Sequence, residues 1–131
     1  MTAPPRWEGS DEFNVLGETL RPCSHDPLTG YFRTGYCAAG PDGGAVHLVC
    51  IEATEAFLAF SASVGNDLST PRPEYGFPGL VAGDRWCLVA QRWVDAHRAE
   101  MAPRVFLRAT NRRVLDLIPL EILKAYALDL N

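Results

Sequence analysis

The side chains with the widest chemical reach in this chain are four cysteines, Cys23, Cys37, Cys50 and Cys87. They stand 14, 13 and 37 positions apart, so there is no Cys-x-x-Cys knuckle of the kind that brings two sulfurs to one ion. The spacing therefore predicts no metal. A zinc site, as the alternative, would have to draw on Cys23, His25 and Cys37, which share one turn-rich stretch. Cys50 and Cys87 fall inside apolar, β-branched runs, where cysteine behaves as a small buried hydrophobe. His47 alternates to the strand face opposite Cys50, so those two would not share an ion. Cys23, two residues from His25, is the candidate nucleophile, because a thiolate needs a nearby base or cation.

A second constellation is polar. Asp67, Ser69 and Thr70 lie close together in an irregular stretch, and Arg85 and Trp86 follow at its far end. One reading makes these five the liners of a small-molecule pocket, with aromatic walls and a few convergent polar groups. Arg85 would then be the fork for a carboxylate or phosphate. Asp67, Cys23 and Arg85 are the candidate catalytic groups, and whether the chain is an enzyme stays open. The plainer reading is that Asp67, Ser69 and Thr70 bond their own backbone as Asx- and Ser/Thr-turns. Likewise, Arg85 would pair with Asp84 or Asp67 to tie the loop down.

Several motifs are missing. There is no phosphate-binding glycine loop, since 40–44 lacks the following Lys-Ser/Thr, and there is no Gly-x-Ser-x-Gly elbow or His-Glu-x-x-His. Arginines at 98, 104, 108, 112 and 113 make the 85–113 stretch basic, but only Phe106 is interleaved with them. Nucleic acid is therefore disfavoured as a partner, as is a membrane surface, at a net charge of −4.

These residues must be positioned by a few elements. The chain has 131 residues, 47% apolar and 21% charged, enough for one core. Residues 1–12 are polar and Pro-rich, and are expected to form a flexible tail before a single domain over 13–131. The run 46–52 is apolar on both faces and predicts a central strand. Thr54 predicts an N-cap for a helix at 54–64, closed by Gly65. Strands are expected at 85–90 and 105–109, with helices from 93 to 100, in a short turn after Thr110, and after Pro119. Tyr31 to Arg33 suggests one more short strand. Glycine and proline concentrate in 21–45 and 65–83. The second of these also carries Leu68, Tyr75, Phe77 and Leu80, so it is expected to be ordered and packed. The isomer of the Phe77–Pro78 bond stays open. The result is an α+β, two-layer domain, a small sheet with helices on one face and two long ordered loops.

Three blocks carry a resemblance. Pro22-Cys23-Ser24 with Asp26-Pro27-Leu28-Thr29-Gly30 is the first. Gly65-Asn66-Asp67-Leu68-Ser69-Thr70-Pro71, continuing to Phe77-Pro78-Gly79-Leu80, is the second. Gly83-Asp84-Arg85-Trp86-Cys87-Leu88 with Arg92-Trp93 is the third. Together they resemble the bacterial domain of unknown function family 2237, over about residues 14–129. The resemblance implies a compact two-layer α/β fold in the cytoplasm and no established catalytic residues to carry over. It also implies that Val89 and Asn111, where the family often has Cys and His, are not essential to any shared chemistry.

The functional expectation is a small anionic metabolite bound between the 21–45 and 65–83 loops. The alternatives are a protein-interaction or structural module and a domain held by metal through Cys23 and Cys37. The N-terminus has no secretory pattern and no run approaches 18 apolar residues, so the expected location is the cytoplasm with reduced thiols.

Overall fold

The computed structural model describes residues 9–130. Strand β1 (His47–Glu52) is central in a three-stranded antiparallel sheet of order β2-β1-β3, flanked by β2 (Arg85–Val89) and the two-residue β3 (Arg104–Val105). The register pairs Val49 with Leu88, Cys50 with Cys87 and Ile51 with Trp86, and a bulge separates His47 from Val49. Helix α1 (Glu55–Ser63) follows β1, α2 (Ala90–Arg98) follows β2 directly, and α3 (Leu120–Ala125) closes the chain. The α+β class expected above is the one observed.

The two sheet faces are buried differently. Val49, Ile51, Trp86 and Leu88 join a large apolar cluster with Phe57 of α1, Trp93 of α2 and Leu123 of α3. Trp93 is fully buried, and its indole N–H donates to the Pro103 carbonyl at 3.2 Å, satisfying the one polar atom it takes inside. On the other face Cys50 and Cys87 join a separate cluster with Cys23, Cys37 and Ala109. The helices cover one face, and the 21–45 loop is fastened to the other.

Local chemistry explains the element ends. The Thr54 hydroxyl accepts from Phe57 N–H at 3.0 Å, capping α1 as expected, and Gly65 takes the left-handed conformation just beyond its end. The strand expected at 105–109 is cut to Arg104–Val105. The Asp129 carboxylate accepts from the N–H groups of Leu107 (2.7 Å) and Arg108 (3.0 Å), and residues Leu107–Ala109 turn into a 3-10 helix instead. No strand forms at Tyr31 to Arg33. Gly30 and Arg33 both have positive φ, and Arg33 N–H closes a turn on the Gly30 carbonyl. Asn111, rather than Thr110, caps the turn Arg112–Asp116 by accepting from Arg113 N–H. Helix α2 begins three residues earlier than expected, because the backbone passes from strand to helix at Val89 without a loop. Of the expected tail, residues 1–8 lie outside the described residues. Glu12 accepts from the N–H groups of Ala39 and Gly40 and from the Asn111 amide.

Candidate functional site

Cys50 and Cys87 are cross-strand partners whose N–H groups point away from each other. Cys50 N–H donates to the Thr110 hydroxyl at 3.1 Å, and Cys87 N–H donates to the Thr29 hydroxyl at 2.8 Å. They are thus a non-hydrogen-bonded pair, the closer of the two antiparallel kinds, with both side chains on one face. Onto that face the 21–45 loop brings Cys23 and Cys37. Cys23 is bonded to Cys50 and Cys37 to Cys87, with Cα atoms 5.6 and 5.3 Å apart, inside the ordinary range for a disulfide. The sulfurs of Cys23, Cys37 and Cys87 all lie within 4.8 Å of one another.

This corrects several expectations. Cys50 and Cys87 are buried as expected, but as half-cystines and not as free thiols. Cys23 is no free nucleophile. The metal alternative through Cys23, His25 and Cys37 fails because the two sulfurs are spent in bridges and offer no thiolate. The premise of reduced thiols fails with it. Strand pairing and loop path created these contacts, and sequence spacing carries no record of either.

Cys23 also lines a cleft of about 440 Å³ between residues 22–26 and 83–85, together with Ser24, His25, Asp26, Asp84 and Arg85. His25 is held over Gly35, whose positive φ and missing Cβ make the room. An added Cβ would meet the imidazole Nε2 at 2.6 Å. The Arg85 guanidinium lies over the Phe106 ring, 4.0 Å from its centroid, and Phe106 in turn packs on the cysteine cluster. Asp84 accepts from Val81 N–H at 2.9 Å, and Asp67 accepts from Ser69 and Thr70. Glu52 is the cross-strand partner of Arg85. Among the described residues no carboxylate comes within ion-pair distance of Arg85.

The other expected liners are placed elsewhere. Asp67 Oδ1 accepts from the N–H groups of Ser69 and Thr70, and Oδ2 accepts from the Thr70 hydroxyl at 2.6 Å. These bonds hold the Asp67 carboxyl below its usual range, the Thr70 hydroxyl contributing most. All three residues are exposed and none lines the cleft with Arg85. Trp86 is buried against Phe77, their rings 5.1 Å apart. The 65–83 loop packs through Leu68, Phe77 and Leu80, while Tyr75 stands 76% exposed at its tip. Phe77–Pro78 is trans, and among the described residues the cis peptide is Asp26–Pro27.

A larger cavity, about 610 Å³, is walled by Tyr31, Phe32, Pro41, Val46 and His47. It is mainly apolar. The buried His47 Nδ1 has no hydrogen-bond partner among the described residues, and burial, then Arg33, pushes the imidazole below its usual value. Among the described residues, Asp42 is the one Asp, Glu, Lys or Arg on the wall of the larger cavity, whereas the smaller cleft holds Asp26, Asp84 and Arg85 and is lined by Cys23, so chemistry favours the smaller one. Thr29 and Thr110 were missed by sequence reasoning. Each supplies a hydroxyl oxygen as the acceptor that a neighbouring strand's carbonyl would otherwise be, and nothing in their local sequence marks them for it.

The architecture is a small α+β domain whose sheet is covered by helices on one face and by a doubly bridged loop on the other. Residues 13–127 match the family described as an uncharacterized protein conserved in bacteria, DUF2237. The chain belongs to that family. No curated protein matches it. Among the described residues no helix is long and apolar enough to cross a membrane.

Proposed function

We propose that this chain binds a small anionic molecule in the cleft between residues 22–26 and 83–85, with Arg85 as the anion fork. The observation that carries the reading is a guanidinium stacked on Phe106, in a concave site, with no carboxylate at ion-pair distance among the described residues. A planar fork in that state is prepared for a carboxylate or phosphate. The cleft borders the 21–45 loop and the end of the 65–83 loop. Of the residues expected to line the site, Arg85 is the one on which the reading rests. Asp67, Ser69, Thr70 and Trp86 would support loop shape and core. A cytoplasmic location belongs to this proposal. In that compartment the two bridges would be open to reduction instead of acting as permanent struts. The alternative, a protein-interaction module, draws on the exposed Tyr75 at the tip of the Pro73–Tyr75 turn.

Calorimetric titration with a panel of small carboxylates and phosphates tests the reading. At least one should bind, and Arg85→Gln should weaken it by up to about fivefold, the loss of one exposed charge pair. Glu52→Gln should tighten it by removing the competing charge across the strand pair. Binding unaltered by Arg85→Gln would overturn the proposal.

A further inference from the structure

The cleft and the sulfur cluster meet at Cys23. All four half-cystines are buried, Cys23 at 3% the least so, and Cys23 is the one among them that lines the cleft. Arg85 borders it too, and stacks on the Phe106 ring that packs against the sulfurs. We infer that the Cys23–Cys50 bridge is a thiol-exchange centre for small carboxylate-bearing thiols, and that Cys23 passes the opening to the Cys37–Cys87 bridge. The anion anchor rests on the reading of Arg85 given above. The sulfur chemistry rests on the packing of the four cysteines.

Exchange proceeds by attack of a thiolate on a disulfide sulfur. An incoming RS⁻ attacks Cys23 Sγ, the Cys23–Cys50 bond breaks, and the Cys50 thiolate leaves and takes up a proton. A second RS⁻ attacks the R sulfur of the mixed disulfide, giving RSSR and the Cys23 thiolate. Two small thiols are oxidised, and one protein bridge is reduced to two thiols. With both bridges closed, the Cys23 sulfur already stands within 4.8 Å of those of Cys37 and Cys87, so the freed thiolate has them in reach. Its attack on either forms a new bridge and expels the other as a thiolate, with no further change in electron count. Negative charge is spread over three sulfurs during each attack, and the Arg85 guanidinium favours its approach.

The specific claim is charge selection. Mercaptoacetate, 2-mercaptoethanol and cysteamine are anionic, neutral and cationic thiols of similar size. Each is reacted with the full native chain at equal thiolate concentration, and its rate is divided by its rate with bis(2-hydroxyethyl) disulfide. Adducts are located by peptide mapping after acid quench. The first adduct should appear on Cys23. Mercaptoacetate should lead the normalised rates by about fivefold over mercaptoethanol, as expected for one exposed ion pair. Arg85→Gln should level the two. Equal rates in the native chain, or a lead for cysteamine through Asp26 and Asp84, would overturn the charge selection. Adducts that form only in denaturant would overturn the centre itself.

The transfer step is read on native protein treated with one equivalent of dithiothreitol. Cys23 bridged to Cys37 or Cys87 is the expected product beside native pairs. Native pairings alone would overturn the transfer. If mercaptoacetate's non-thiol counterpart, acetate, binds through Arg85 while no thiol reacts, this inference fails and the anion-binding reading stands. If no anion binds but Cys23 exchanges without charge preference, the failure lies in the reading of Arg85.

Discussion

The two long loops of this domain reach order by opposite means. The 21–45 loop is fastened to the sheet by two disulfides and by the Thr29 hydroxyl, all buried. The 65–83 loop has no covalent tie. It folds on its own hydrogen bonds, at Asp67 with Ser69 and Thr70 and between Arg72 and Phe77, and sinks Leu80 into the core. The first loop therefore owes its shape to distant partners, and its order should fail with theirs. The second owes its turns to neighbours in sequence, and those turns should persist or fail alone. The chemistry follows the first loop, because long-range ties bring unlike groups together, whereas local turns mostly bring a residue to its own backbone.

The bridges should make the greatest difference between the two loops. Bridges across 27 and 50 positions restrict the unfolded chain by roughly 3.5 and 4 kcal/mol in the chain-entropy account. Replacing Cys37 and Cys87 together with alanine should cost about that much, measured by denaturant unfolding. The Cys23 and Cys50 double replacement should cost slightly less. Amide exchange should speed up across 21–45 before it does so across 65–83. A uniform loss over both loops would show that the second depends on the first.

A smaller break is Thr29→Val. The isosteric change keeps the volume and removes the acceptor for the buried Cys87 N–H. An orphaned buried donor costs about 1–3 kcal/mol. The expected result is a lowered unfolding midpoint with both disulfides still formed. A cost near zero would mean that the sheet edge relaxes to find another acceptor, and that the hydroxyl is not what seats this loop.

How much of this was legible in the sequence follows the same division. Helix α1, with Thr54 at its cap and Gly65 beyond its end, was readable because cap and periodicity are local. So were the strand cores at 47–52 and 85–89, and the Asx-turn at Asp67. The pairing of Cys23 with Cys50 was not readable, because it depends on which strand lies beside which and on where a 25-residue loop crosses the sheet. The loss of the strand after Val105 was equally hidden, since its N–H groups are taken by Asp129, more than twenty residues away. In the candidate site, Arg85 and Cys23 stand out separately in the sequence, as an anion fork and as a thiol. Their shared cleft required the fold, and the expected partners of Arg85 in the second loop turned out to be occupied with one another.

Asp67 offers a small, local test of whether the second loop stands by itself. The Asp67 carboxyl is held below its usual value by the Thr70 hydroxyl and then by Ser69 N–H, so the folded loop favours its charged form. The contribution is therefore present above the ordinary carboxylate value near 3.8 and is lost as the pH falls through the lower folded value. Asp67 is fully exposed, so solvent screens the effect and it should stay local. Asp67→Asn keeps an acceptor but removes the charge. Exchange of the Ser69 and Thr70 amides should quicken at neutral pH, while the unfolding midpoint and any anion affinity at Arg85 stay unchanged. Amide exchange by NMR and the same calorimetric titration read both. If Asp67→Asn weakened anion binding as Arg85→Gln does, the two loops would be halves of one site, and the second loop's hydrogen bonds would serve the ligand and not only the turn.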